Sequence, residues 1–325
     1  MKSGNLMKYI IQALEFAIVM ALIILSVITF NKINQAALFE KETFSEEKYH
    51  FAIITDDMNS YAYESFISGV EIAIKELDSV FEVYEVGNNS LQDVIDMVVI
   101  TKVDGVILRL SNNEVASEAI DKCKNEGIGI ITVGNDAPDS LRDVYIGTNK
   151  YNLGRHAATL AVKSVDGPVN IGVILGSEYI DEETISTNNF INGIQDIVTK
   201  NEKVNLSVIK YTNSIRAELL MDDILNGETP INVLICTDPV DVNRIIRVLV
   251  DRNKVGDIKI IASGDTAEIK DGIEKRLITA SIVEDYSEIG NLSVYFLNRV
   301  IQGEGVSTYV NVPFETLEQR NLGIE

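Results

Sequence analysis

The sequence predicts an α/β protein of two doubly wound parallel-sheet lobes with a hinge, preceded by one N-terminal transmembrane helix. Three features predict it. Phe16 to Phe30 form an apolar run without a charge at the head of an otherwise hydrophilic chain. From His50 onward, short β-branched runs alternate with segments of helical period, the pattern of parallel sheets covered on both faces. The first series of strands stops near Tyr145 to Gly154, and a second begins after Pro168.

The apolar run, counted back to Tyr9 or Ile10, reaches the about 20 residues that a bilayer-spanning helix needs. Lys2 and Lys8 precede it, with no acidic residue before Glu15, so the positive-inside bias keeps the N-terminus in the cytoplasm and exports the body. A cleaved secretory signal has the same charged start and apolar core. The segment that follows offers Ala36 and Ala37 but no clear A-x-A cleavage site, and no cysteine for a lipoprotein anchor. The reading is an uncleaved signal-anchor: residues 1–8 cytoplasmic, 9–30 spanning, 31–48 a polar stalk, and 49–325 the exported domain.

The net charge of −21 argues against nucleic-acid binding, which requires a basic surface to displace counterions. It also disfavours lying flat on an anionic membrane. Two cysteines, Cys123 and Cys236, sit in apolar-patterned segments and read as buried thiols. With only two histidines and no CxxC, a zinc site is not expected, and no cofactor is implied.

Along the body, HFAIIT is followed by YESFISGVEIAIKEL, GVILRL by EVASEAIDKCKNEG, and IGIITV by a polar loop. The series resumes as VNIGVIL, NLSVIKY, INVLICT, IKIIAS and TASIV. These runs are too numerous for one comfortable sheet. Two lobes fit, with lobe 1 about 49–149 and 285–308, and lobe 2 about 150–284 and 309–325. Ligands of doubly wound sheets bind beyond the carboxyl ends of the strands, so those ends should wall one cleft.

No phosphate loop, HExxH or GxSxG signature occurs, and an enzyme is not expected. Asp56 and Asp57 are adjacent carboxylates, but neighbours leaving a strand point in different directions. The strand-end loops are rich in Asp, Asn, Ser, Thr and Gly: TDDMNSYAY, LRLSNN, VGNDAPDS with Asn135 and Asp136, GTNK, LGSEY, CTDP, ASGDT and VED. Such groups cap helices, and they also hold polar small molecules. Arg109, ending the third strand, is a candidate cation there.

The stretch from Asp104 to Ala158, DGVILRLSNNEVASEAIDKCKNEGIGIITVGNDAPDSLRDVYIGTNKYNLGRHAA, resembles the type I periplasmic binding proteins of the ribose-binding and LacI-effector group. ITASIVEDYSEIG, ICTDPVDVNRIIRVL and IIASGDT continue the likeness to the C-terminus. The resemblance places ligand contacts at Asp56, Ser60, Ala62, Tyr63, Leu110, Gly134, Asn135, Thr148, Phe190, Asp238, Gly264 or Asp265, and Glu284. Two departures stand out. Gly134-Asn135 replaces a common Asp-Arg, and Phe190 replaces an arginine, so the forks that grip adjacent ring hydroxyls are absent. Without tryptophan, ring stacking falls to Tyr61, Tyr63, Tyr179 or Phe190.

The apolar run and the resemblance together imply a membrane-tethered receptor for a small polar solute, a sugar or polyol, closing about crossovers near Thr148, Glu284 and Thr308. Its partner would be an ABC permease or a sensor histidine kinase. Asp56, Asp238 and Glu284 make the cleft acidic, which would also suit an amine. An interaction module with a degenerate cleft, or a carboxylate-based hydrolase, remains the alternative. The anchor and the lack of a basic helix-turn-helix exclude a repressor.

Overall fold

The computed structural model describes residues 49–325 apart from 88–89, 177–183, 211–216, 228–229 and 322–325. The expected cytoplasmic tail, membrane helix and stalk, and Tyr179, lie outside the described residues. Among those described, no helix is long and apolar enough to cross a membrane.

The first lobe is built on six strands: β1 (His50–Thr55), β2 (Val80–Glu85), β3 (Gly105–Arg109), β4 (Gly129–Val133), β5 (Val144–Gly147) and β11 (Tyr309–Asn311). They lie in the order β11-β5-β4-β3-β1-β2, all parallel. Helices α1 (Tyr61–Glu76) and α9 (Tyr286–Ile301) cover one face, burying Phe66, Val70, Ile289 and Leu297 against Phe51, Ile53, Ile107 and Ile131. Helices α2 (Leu91–Thr101) and α3 (Ser117–Asn125) cover the other. Central strands sandwiched in this way have no polar face, so β4 is buried along its whole length.

The second lobe repeats the plan with β6 (Val169–Leu175), β7 (Val204–Lys210), β8 (Val233–Cys236), β9 (Lys259–Ser263), β10 (Ala280–Glu284) and β12 (Phe314–Leu317), ordered β12-β10-β9-β8-β6-β7. Helices α4 (Lys150–Lys163) and α5 (Ile185–Val198) pack on one face. Helices α6 (Ala217–Asn226), α7 (Pro239–Asp251) and α8 (Ala267–Glu274) pack on the other. Cys123 and Cys236 are free, buried thiols in the cores of different lobes.

The structure differs from the expected plan at the C-terminus. Tyr309–Asn311 still belongs to the first sheet, so the third crossing falls at Val312 and Pro313 rather than near Thr308. The chain passes directly from one sheet to the other there, without a helix to turn it round. β12 consequently runs antiparallel to β10, where only parallel pairing was expected.

Candidate functional site

Three crossings join the lobes: Thr148 and Asn149 between β5 and α4, Glu284 and Asp285 between β10 and α9, and Val312 and Pro313 between β11 and β12. The carboxyl ends of both sheets therefore face a shared cleft, whose back is formed by the crossings.

On the first wall, the strand-end polar groups mostly bind one another. Asp56 accepts hydrogen bonds from the Ser111 backbone N–H at 3.0 Å and from the Ser111 hydroxyl, tying the β1 loop to the β3 loop. Asn135 donates through Nδ2 to the carbonyls of Leu110 (3.2 Å) and Ser111 (2.9 Å). Ser60 caps α1 by accepting from the Tyr63 N–H. Arg109 reaches back over β1, donating to Thr55 Oγ1 (3.3 Å) and the Asp57 carbonyl (3.1 Å), with its guanidinium above the Tyr63 ring. Tyr63 itself is buried, so its ring belongs to the wall's packing. Asp136 pairs with Arg142, whose Nη1 donates to the Thr308 carbonyl at 2.9 Å. Ala62 and Leu110 are buried apolar neighbours of this wall.

The backbone explains one departure from the family pattern. Gly134 has φ +74°, a left-handed conformation that glycine adopts without strain. Its N–H donates to the Ile146 carbonyl, and its own carbonyl accepts from the Tyr145 hydroxyl at 2.9 Å. Burial drives that phenol's pKa up, so it remains a donor.

On the second wall, Asp238 caps α7, accepting from the Val240 N–H at 2.8 Å. Asp265 accepts from Lys270 at 2.6 Å and from the Tyr61 hydroxyl across the cleft. Burial pulls the Asp265 pKa up, but the two donors outweigh it and hold the carboxyl below its usual range. Gly264 sits between Pro239 and Tyr61; a Cβ there would lie 2.9 Å from Pro239 Cγ. Phe190 corrects the expectation from the family. It is 2% exposed in the core between α4 and α5, and its carbonyl lies where a Cβ on Gly154 would fall. It faces no solute.

The crossings hold two features. Thr148 is 2% exposed, and its hydroxyl has no hydrogen-bond partner among the described residues. Glu284, expected as a cleft anion, is instead held by Lys150, whose Nζ lies 2.8 Å from each carboxylate oxygen. Both side chains are under a tenth exposed, and the Tyr286 hydroxyl also donates to Glu284 at 3.1 Å. Sequence reasoning missed Lys150. A signal was present: a lysine at the first position of a helix, with no acidic residue in that turn, opposes the helix dipole and needs a counter-charge from elsewhere. Of the cleft carboxylates, Asp136, Asp265 and Glu284 each have a cation, whereas in the bonds described Asp56 and Asp238 accept only from neutral N–H or O–H groups and keep their negative charge.

Among the described residues, two bonds join the walls directly. One is Tyr61 to Asp265; the other runs from the Ile185 N–H, at the start of α5, to Glu114 Oε1 at 2.7 Å. The second is charge-assisted and sits at a helix N-terminus. Replacing Glu114 with Ala together with Tyr61→Phe is expected to weaken closure by about 2–4 kcal/mol, two such bonds' worth. Small-angle scattering should show a larger radius of gyration for the double variant. An unchanged radius would mean that these bonds do not hold the lobes together.

Two sheet lobes, three crossings and a cleft at the strand ends define a hinged, two-lobed binding fold. The chain belongs to the periplasmic binding protein domain family, whose model matches residues 51–305. Among solved structures it is similar to GanP, a glucose-galactose binding protein from Geobacillus stearothermophilus, at 20% identity and TM-score 0.76, covering 85% of this chain and 99% of that one. It is similar at 19% identity and TM-score 0.77 to an ABC transporter solute-binding protein from Burkholderia graminis in complex with D-arabinose, covering 86% and 98%. The XylFII–LytSN complex contains a further relative in fold, at 22% identity and TM-score 0.73, covering 84% and 98%. No curated protein matches the chain significantly.

Proposed function

We propose that this chain is an extracytoplasmic, membrane-tethered, non-catalytic receptor for a small polar solute, a sugar or polyol. The observation that carries the reading is Thr148. A hydroxyl buried without a partner costs about 1–3 kcal/mol, and this one lies at a crossing between two lobes. A solute hydroxyl or carbonyl in the cleft would relieve that cost. Asp56, Ser60, Asn135, Asp238 and Asp265 frame the same cleft, and each retains acceptor capacity beyond the bonds described.

The solute would favour the closed form by touching both walls, and the closed surface would be read by a partner. An ABC permease taking up the solute and a sensor histidine kinase detecting it are the two candidates. Relatives of this fold solved as sugar-binding proteins, and one solved with a second protein, support the solute and the partner respectively. The apolar run at Phe16 to Phe30 supports the tether.

A second reading, an interaction module whose cleft no longer takes a solute, is favoured by the wall-to-wall bonds and by the mutual pairing of the strand-end groups. Thermal unfolding of the full-length chain against pentoses, hexoses, polyols, nucleosides, amino sugars and amino acids separates the two. A solute at 100 times its dissociation constant adds about 2.7 kcal/mol of stability. Stabilisation by a sugar or polyol, lost in Thr148→Val, is the expected result. A well-folded protein that no solute stabilises would leave the module reading.

A further inference from the structure

We infer that Asn113 is a positioning residue of the first wall: its buried side-chain amide holds the β3 and β4 strand-end loops in the arrangement that presents Asp56 and Asn135 to a solute. The inference rests on the solute-receptor reading above and names a residue on which that site depends without touching the solute.

Asn113 precedes the short 3-10 turn Glu114–Ala116 and is fully buried. Its Oδ1 accepts from the Leu110 N–H at 3.0 Å. Its Nδ2 donates to the Leu108 carbonyl at 3.3 Å and to the Asn135 carbonyl at 2.7 Å. Two donors and one acceptor are thus committed to backbone groups, and those three partners fix which end of the amide is oxygen. Leu108 lies in β3, Leu110 just past its end, and Asn135 in the loop after β4, so this side chain spans two neighbouring strand ends. The connection is returned, because Asn135 Nδ2 donates to the carbonyls of Leu110 and Ser111. Ser111 in turn holds Asp56 of the β1 loop through its N–H and its hydroxyl. Glu114, next to Asn113, reaches the Ile185 N–H on the other lobe. Three strand-end loops and a wall-to-wall bond therefore share a network with a buried amide at its centre.

The chemistry of the amide makes it hard to replace. Alanine would take from the Leu110 N–H and the Asn135 carbonyl a partner they have in a buried place. A carboxylate of the same size keeps the acceptor for Leu110 but turns its second oxygen towards two carbonyl oxygens. Only when protonated can it donate to one of them. The charged groups of the surrounding loops add to this preference. Asp56, Glu114 and Asp136 are acids, while Arg109 and Arg142 are engaged with the β1 loop and Asp136. A carboxyl introduced here would therefore hold its proton well above the usual carboxylate range.

The test is hydrogen exchange and calorimetric titration of the full-length chain, unaltered and as Asn113→Asp and Asn113→Ala. Both are done near neutrality and in mild acid, each variant read against unaltered protein at the same pH. In the unaltered protein the Leu110 N–H, although past the strand end, is expected to be protected. At neutral pH Asn113→Asp should lose protection across residues 108–116 and 133–137 but not in the second lobe, and regain it in mild acid. Asn113→Ala should lose it in both. Binding of D-glucose, D-galactose, D-xylose or D-arabinose should weaken by about tenfold in step with protection, the equivalent of about one hydrogen bond lost from the wall. Asn113→Asp should recover that affinity in acid, and Asn113→Ala should not. A residue that merely fills space would give both variants the same pH profile, and that outcome would overturn the inference. So would a freely exchanging Leu110 in the unaltered protein, a measurement that stands even if neither variant folds. Lost protection with sugar affinity unchanged would overturn the inference while leaving the receptor reading standing. Unaltered protein that binds none of these sugars would remove the receptor reading, and with it the role assigned to Asn113.

Discussion

Lys150→Met is expected to destabilise the folded chain by about 3–5 kcal/mol, the cost of stranding one member of a buried ion pair. Lys150 and Glu284 are each under a tenth exposed and 2.8 Å apart, and Glu284 would keep only the Tyr286 hydroxyl as a described partner. The double variant, Lys150→Met with Glu284→Gln, should recover most of that loss. Methionine fills the lysine's apolar volume, and the amide can still accept from Tyr286. Equilibrium denaturant unfolding of the four proteins forms a double-mutant cycle, in which contacting residues give a non-zero coupling term. A double variant as unstable as the sum of the singles would mean that the two charges are not coupled. The pair also joins two crossings, so the destabilised single variant should show its loss in both lobes at once.

Alanine at the helix-crossing glycines should be as damaging. In the first lobe, a Cβ on Gly69 of α1 would lie 1.8 Å from the Ser287 carbonyl oxygen, and one on Gly290 of α9 would lie 2.1 Å from that of Phe66. In the second lobe, Gly154 of α4 would meet the Phe190 carbonyl oxygen at 2.0 Å, and Gly193 of α5 that of Tyr151 at 2.1 Å. These are reciprocal contacts: in each lobe, two helices approach so closely that the backbone of each occupies the place of the other's side chain. The obstacle is backbone in every case, so no rotamer change relieves it. Gly154→Ala or Gly290→Ala is therefore expected to cost about 3 kcal/mol, the upper end for overpacking. Gly305→Ala, with nothing within 4 Å of its added Cβ, provides the contrast. Its change should stay within about 0.5 kcal/mol. Denaturant midpoints measure both. If Gly290→Ala unfolds no more easily than Gly305→Ala, the helices of the first lobe are not packed as closely as described.

These glycines also show how far the sequence could be read. GVEIAIKEL and the other helical-period segments disclosed the helices, because core-facing positions on a helix recur every three or four residues. The sandwiched strands were legible for the matching reason, as continuous β-branched runs. Which helix meets which was not legible, because a glycine in a helix looks the same whether it faces solvent or a carbonyl. The paired glycines that bring α1 to α9 lie far apart in sequence, and only the fold sets them opposite each other.

The site divides in the same way. The strand-end loops identified the wall residues by position, and Thr148 stands at a crossing as the family resemblance implied. Of the expected cleft charges Glu284 differs, because charge in a folded site depends on partners. Asp136 finds Arg142 within its own loop region, whereas Glu284 finds Lys150 across 134 residues of sequence. Phe190 shows a further limit: the family pattern assigned it to the ligand, but an apolar ring on the buried side of α5 belongs with the core.

The sequence by itself determined the alternation of strands and helices, the two-lobe division and the position of the cleft. All of these follow from local periodicity and from where the apolar runs stop. Only the tertiary structure decided that the last strand reverses, that the walls touch through Tyr61 and Glu114, and that the crossings carry a neutral ion pair. Those features arise from groups brought together across the chain, and the pairing of distant charges leaves no periodic trace in sequence.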